Sequence, residues 1–387
     1  MERLAWGGMG VAHASDGRLI LLEAPLALFP GETVEAELRW KPRHGEGRVL
    51  RWLSRDARRA AATCPVAGLC GGCELWEAGS QASELKRQMV ADLFRRQLGD
   101  VNWSWRPAPE EARRHRIQVH WDGASLGYHR RHSHALVPVS ACPAAAAPLS
   151  DALPRLQDAL AGRALPARPQ RWELATGTPP GEVRATDEKG RTWRLEPDGW
   201  TRDDAPVTHR LAAGPLQHEP GAFFQVSPSW AAQAFGDQLE GWDLRGNTLY
   251  DLFGGVGLFS ALLGARFRHR VLVESGEAAV DWARRNLAAL GLPAECHVGE
   301  TETWVPEGLG GTGDLILLDP PRAGLAPDLC TRLQTAGADS LVLIGCDGAA
   351  FCRDLKRLAP AWRLEGLAAL DLFPLTHHVE CAALLRR

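Results

Sequence analysis

The chain has 387 residues, 45% of them apolar and 24% charged, a length that suits two or three domains and a composition that excludes wholesale disorder. Its net charge of −3 does not advertise a polyanionic partner, so only local clusters of charge can. No apolar run reaches the roughly 18 residues that cross a bilayer, and MERLAWGGMG lacks the basic-then-apolar start of an export signal, which gives the expectation of a cytoplasmic protein with no membrane partner.

Up to about residue 62, glycine turns separate four strand-like runs, GMGVAHA, DGRLILLEAPL, GETVEAELRW and GEGRVLRWL, which predicts a small OB-like β-barrel. Arg39, Lys41, Arg43, Arg48, Arg51, Arg55, Arg58 and Arg59 follow one another there with Glu46 and Asp56 as the opposing acids, and Trp40 and Trp52 are interleaved. Such a stripe suits phosphate contact and base stacking, and equally an edge strand protected by charge. Its distance in sequence from every later motif predicts RNA affinity kept apart from the chemistry.

Nine cysteines are odd in number and unevenly spread, a pattern of metal ligands and free thiols rather than disulfides. Cys64, Cys70 and Cys73 lie close together and Cys142 follows in a VSACP turn; their spacing fits zinc or a [4Fe–4S] cluster. Residues 80–98, SQASELKRQMVADLFRRQL, have helical apolar spacing. From 113 to 220 short strands alternate with Pro- and Ala-rich connections, and RRHRIQVHWDGASLGYHRRHSHALVPV offers a second Arg- and His-rich surface for RNA.

From Thr248 onward strands (TLYDLF, HRVLVES, DLILLDP, SLVLIGC, LEGLAALDLF, HVECAALL) alternate with helices such as EAAVDWARRNLAAL and FCRDLKRLA, predicting an α/β domain with a doubly wound, mainly parallel sheet. In YDLFGGVGLFSALL a strand enters a glycine turn and then a helix, where backbone can approach a ligand. Glu274, ending the next strand, is placed to accept hydrogen bonds from a ribose, so a dinucleotide and S-adenosylmethionine compete for the site. The DPPR turn at 319–322 favours S-adenosylmethionine, with Asp319 holding cofactor or base. Cys346 stands just beyond one strand and Glu380 opens the last. A thiolate that adds to C6 of uracil makes C5 nucleophilic, and a base must then remove the C5 proton, so a cysteine and a carboxylate at one sheet edge suit C5 methylation.

CPVAGLCGGC, FFQVSPSW, DLFGGVGLFS, LLDPPRAGL and LFPLTHHVE together resemble the motifs of the RNA uridine-C5 methyltransferases, closest to the bacterial 23S ribosomal RNA branch. The resemblance implies a Rossmann-like class I methyltransferase domain at 221–387, a TRAM barrel at 1–62, and a central α+β iron–sulfur domain at 63–220 whose helix 80–98 packs on the catalytic domain. It implies S-adenosylmethionine and uracil held by Gln225, Phe253, Glu274 and Asp319, Cys346 as nucleophile and Glu380 as base. Cys64, Cys70, Cys73 and Cys142 would ligate a [4Fe–4S] cluster of structural or RNA-positioning role, leaving Cys296, Cys330, Cys352 and Cys381 as packing residues. The expected partner is RNA, ribosomal before transfer RNA, and the expected state a monomer; the runner-up is a weakened RNA-binding protein of the same fold. Three departures stand out: Gly254 where the family has Cys, Ser227 where it has Asn, and Gly345-Cys346-Asp347-Gly348 where it has Ser-Cys-Asn-Pro. The added acid, Asp347, is expected to raise the Cys346 pKa.

Overall fold

A computed structural model describes every residue except Ala62, so the expected boundary at residue 62 lies outside the described residues. The chain begins with β1 (Arg3–Leu4), β2 (Gly10–His13), β3 (Leu19–Glu23), β4 (Thr33–Trp40) and β5 (Gly45–Ser54). They form one sheet in the order β1-β2-β3-β5-β4, with β3 and β5 parallel and the other neighbours antiparallel. Among the described residues the edge strands β1 and β4 do not pair with each other. Ile20, Leu22, Leu28 and Val49 form its small core.

This sheet corrects the reading of the basic stripe. Strand pairing sets Glu35 opposite Arg51 and Glu37 opposite Arg48, and Arg51 Nε reaches Glu35 at 2.6 Å. Arg59 is not a surface cation: its side chain is 6% exposed and bridges Glu32 and Glu77 at 2.6 and 2.9 Å. Acids on the neighbouring strand and beyond residue 70 do not show in a linear count of local charge. Arg39, Arg43 and Arg48 form no ion pair among the described residues and keep their charge for a partner.

The helix read over 80–98 is α1 (Ala82–Leu98). Its Met89, Val90 and Phe94 are buried in the core of the catalytic sheet, and β6 (Ser104–Arg106) adds a parallel strand to that sheet's edge. The central region follows with β7 (Arg116–Trp121), β8 (Leu126–His129), β9 (Leu136–Pro138), α2 (Ala147–Ala161), β10 (Gln170–Thr176), β11 (Val183–Asp187), β12 (Thr192–Glu196) and β13 (Gly199–Arg202). The seven strands make an antiparallel sheet, β13-β12-β11-β10-β7-β8-β9. Leu149, Leu153, Leu156 and Leu160, spaced by four and three, turn one face of α2 onto it. The hairpin β14 (Val207–Leu211) and β15 (Gly214–His218) leads out.

The last third comprises α3 (Pro228–Gly241), β16 (Gly246–Leu252), α4 (Leu258–Leu263), β17 (Phe267–Glu274), α5 (Glu277–Ala289), β18 (Glu295–Val298), α6 (Thr301–Trp304), β19 (Leu315–Leu318), α7 (Pro327–Gln334), β20 (Ser340–Gly345), α8 (Gly348–Leu358), β21 (Arg363–Leu370) and β22 (Glu380–Arg386). Its sheet runs β18-β17-β16-β19-β20-β22-β21-β6. Neighbours from β18 to β20 are parallel, and β22 is antiparallel to both β20 and β21. β19, β20 and all but the last residue of β22 are buried, as strands covered on both faces must be. Separate apolar cores fill the two faces, one with α1, α7 and α8 and the other with α3 and α4. The six strands expected from Thr248 onward are present. β18, with the sequence ECHV, is too short and polar to announce itself.

Candidate active site

Parallel strands deliver their carboxyl ends to one edge of a doubly wound sheet. Here β16 leads into Phe253, β17 ends in Glu274, and β19 and β20 lead into Asp319 and Cys346. Because β22 runs the other way, its first residue, Glu380, arrives at that same edge. The last β20–β22 pair is Gly345 with Cys381, so Cys346 and Glu380 are the next residues along the two strands, and the Glu380 charge acts on the Cys346 thiol. The expected nucleophile and base therefore converge at one sheet edge.

Both carry shifted acidities. Burial pushes the Cys346 thiol up to about 11, the Glu380 charge adds to this, and the Arg322 guanidinium opposes it before a further push from Asp319. Asp347 is not among the leading causes; its carboxylate accepts Ala350 N at 2.8 Å as the N-cap of α8. Burial raises Glu380 to about 8, with Asp319 adding and Arg322 opposing, and burial followed by Asp251 raises Asp319 to about 7. Glu380 and Asp319 so titrate as a pair. Arg322, exposed in the DPPR turn, is the cation that opposes the rise at both Glu380 and Cys346, a role the sequence reading left unassigned. Accordingly, at pH 8.5 Arg322→Met should slow iodoacetamide labelling of Cys346, mapped by peptide mass spectrometry, and Glu380→Gln should speed it. Equal rates in all three proteins would remove this electrostatic coupling.

The glycine turn is tied to Glu274, whose carboxylate accepts Gly255 N at 3.1 Å and Gly276 N at 2.8 Å. Phe253 and Gly257 have φ of +60° and +92°, the reversal that lets Gly257 cap α4. Asp251, which sequence reading passed over, is completely buried and raised to about 7 by burial. One of its oxygens accepts Ser260 N and Oγ at 2.9 and 2.6 Å, and its Oδ1 has no partner. An acid inside the apolar run LYDLF was the available signal.

Gln225 is half-buried in the loop before α3, anchored by His115 N donating to Val226 O at 2.8 Å. Among the described residues its side chain makes no hydrogen bond to Glu274, Asp319 or the glycine turn. Next to it Phe224 stacks on His209 and His218 at 4.6 and 5.2 Å.

The three departures have steric or polar reasons. A Cβ at position 254 would lie 2.6 Å from Leu272 Cγ, so this chain has filled with leucine the space that a larger residue needs. At 348 a Cβ would meet Leu93 Cδ2 at 2.5 Å and Trp6 Cη2 at 2.9 Å. Ser227 donates to Arg113 O at 2.8 Å. The Trp6 contact also brings the N-terminal segment to within two residues of Cys346, so its expected separation from the chemistry is a matter for truncation to test.

Cys64, Cys70, Cys73 and Cys142 line one pocket with Tyr128 and Trp76. Burial drives the Cys73 thiol up to about 12, with Arg114 opposing and Cys142 and Cys70 adding. Among the described residues no group of three or more His, Cys, Asp or Glu side chains is arranged so that it could hold a metal ion. The Tyr128 hydroxyl is buried beside the thiols without a partner of normal geometry. From this pocket a cleft lined by Arg114, Arg116, Gln118, Arg131 and His132 leads to Arg322 and His378, so cations border the route from the cysteines to the catalytic edge.

Residues 312–387 match the family model described as tRNA (Uracil-5-)-methyltransferase. An uncharacterized RNA methyltransferase of Streptomyces avermitilis is 31% identical over 99% of this chain and 96% of its own length. The 23S rRNA (uracil(1939)-C(5))-methyltransferase of Chromohalobacter salexigens is 30% identical over 100% and 88%, and that of Pseudomonas fluorescens 30% identical over 99% and 90%. The fold is that of the tRNA (uracil-54, C5)-methyltransferase of Pyrococcus abyssi, with a TM-score of 0.74, 24% identity, and coverage of 97% of this chain and 100% of that one. Full-length similarity of this degree, on a class I methyltransferase sheet with a cysteine and a glutamate at its edge, makes the chain a member of the RNA (uracil-C5) methyltransferase family.

Proposed function

We propose that the protein methylates C5 of a uridine in 23S ribosomal RNA in the cytoplasm, as a monomer. The observation that carries the reading is the convergence of Cys346, which follows β20, and Glu380, which opens its partner β22, at one sheet edge. S-adenosylmethionine, when bound, supplies an electrophilic methyl group. Glu274, Asp319 and Phe253 stand at the edge where it would sit, Gln225 is read as reaching in from the loop before α3, and the glycine turn leaves backbone open to it. The Cys346 thiolate adds to C6 of the uracil, and C5 becomes the carbon that accepts the methyl group. Glu380 then takes the C5 proton, the C5–C6 double bond re-forms and the thiolate leaves. Burial favours the protonated form of both groups, so each must give up a proton before it acts, the thiol to add to C6 and the Glu380 carboxyl to take the C5 proton, and Arg322 favours both losses.

Ribosomal RNA is favoured because relatives named for 23S rRNA align along the whole chain. The test compares 5-methyluridine at each position of ribosomal and transfer RNA from cells with and without the gene. Loss from one 23S rRNA uridine supports the reading; loss from transfer RNA alone moves the substrate, and no loss in either removes it.

The four cysteines fit a [4Fe–4S] cluster by donor type and by sharing one pocket with an unpartnered Tyr128 hydroxyl. A cluster also spreads its ligand sulfurs more widely than a single ion does. It would act as a strut at the head of the cleft. The N-terminal sheet is read as a TRAM-type module over 1–62, followed by the iron–sulfur region over 63–220 and the methyltransferase domain over 221–387. Protein purified without oxygen should be brown, with about four iron and about four sulfide per chain, and Cys70→Ser should bleach it. Stoichiometric zinc without sulfide would contradict the cluster.

A further inference from the structure

The loop that delivers Glu380, residues 371–379 between β21 and β22, is held largely by the stretch following the third cysteine of the pocket. Glu74, next to Cys73, accepts His377 N at 2.7 Å and also bonds the His377 ring. Leu75 N donates to Leu375 O at 3.1 Å. Lys86, 1% exposed, reaches Asp371 Oδ1 at 2.5 Å and Phe373 O at 2.9 Å. Glu74 is itself 7% exposed, and its own carbonyl accepts Ala27 N at 2.8 Å. Above this contact a Cβ on Gly8 would come within 3.0 Å of His377 Nδ1. Anchors from Glu74, Leu75 and Lys86 thus hold the chain up to three residues before Glu380. Glu380 itself opens β22 and pairs with Leu370 of β21, so the sheet holds its backbone from one side and the anchored loop sets its approach from the other, whereas Cys346 follows β20 directly.

We propose that Glu74 is a positioning residue for the catalytic base: through His377 it sets where Glu380 stands relative to the uracil, and so links the cysteine pocket to one step of the reaction. The proposal rests on the assignment of Glu380 given above. Nucleophile and base act at different points on the path. A displaced Glu380 leaves addition to C6 and methylation intact and delays removal of the C5 proton, so the methylated RNA stays bonded to Cys346. A residue needed only for folding would lower every step together and would not enrich that adduct.

The experiment measures, in the full-length protein with radiolabelled substrate RNA, the fraction of enzyme shifted on a denaturing gel, the steady-state kcat and KM, the far-UV spectrum and the iron content. Glu74→Ala should lower kcat by roughly 10- to 100-fold, the scale of a small misplacement in an active site, with KM for RNA little changed and the adduct fraction raised several-fold. Glu74→Gln, which keeps an acceptor for His377 N, should restore most of the turnover. His377→Ala approaches the contact from the other side and should raise the adduct without altering iron content, so it serves if Glu74→Ala folds poorly. Glu380→Gln is the control for the reading beneath. If it accumulates adduct while both Glu74→Ala, when folded, and His377→Ala do not, the positioning role is overturned. If Glu380→Gln itself accumulates none, the base assignment fails instead.

Discussion

Replacing Cys346 by Ala is expected to lower turnover by roughly 10⁴-fold or more, the scale seen when a covalent nucleophile is removed, while RNA and S-adenosylmethionine still bind. Its thiol follows β20 at the sheet edge where the Glu380 charge acts on it, and its replacement is small enough to leave β20 in place. No RNA adduct should form. Glu380→Gln keeps the length and much of the hydrogen bonding of the side chain but cannot take the C5 proton, so it should also turn over poorly while accumulating an adduct. Buried Cys352 and Cys381 are the control sites for peptide mapping. An adduct in Cys346→Ala, or a cross-link found on either of those two, would move the nucleophile; full turnover by Glu380→Gln would move the base, with Asp319 next in line.

Removing residues 1–60 should cost far more than RNA affinity. Leu4 and Phe29 share a core with Leu75, Ala78, Ala82 and Leu85, and losing the burial of those two side chains alone amounts to roughly 3–6 kcal/mol. The cut also leaves Asp92 without Arg3, at 2.5 Å, and strips Trp6 from the start of α8 beside Cys346. The truncated protein should therefore melt at a lower temperature and lose activity even at saturating RNA. Arg39→Ala combined with Arg48→Ala should leave the melting temperature unchanged and flatten the salt dependence of RNA binding. Full activity at saturating RNA in the truncated protein would restore an N-terminal module independent of the chemistry.

The catalytic third was the most legible part of the sequence, because a sheet buried on both faces imposes long apolar runs with chemistry only at their ends. LYDLFGGVG, LILLDPPR, LVLIGC and HVECAALL each place their polar residues where a strand stops. Asp251 was missed within one of these runs because nothing local marks a buried acid except its company. The stripe from Arg39 to Arg59 misled for the opposite reason: Glu35, Glu32 and Glu77 become its partners only after pairing and packing. The contact of Glu74 with His377 spans 303 residues, and that of Trp6 with Gly348 is of the same kind. No periodicity within one segment carries information about such contacts. α1 was readable as a helix from its spacing, whereas the addition of β6 to the catalytic sheet depends on an edge exposed by β21.

Methylation at C5 removes one proton from that carbon for each methyl group added, whatever the RNA. The most direct measurement therefore uses RNA tritiated at C5 of uridine together with S-adenosylmethionine labelled with carbon-14 in its methyl group, and follows both labels in one reaction. The account predicts tritium release into water equal to methyl incorporation in the wild-type protein, neither in Cys346→Ala, and methyl incorporation that outruns tritium release in Glu380→Gln. Methyl transfer by the wild-type protein with tritium retained in the RNA would place the methyl group on another atom and contradict the C5 chemistry.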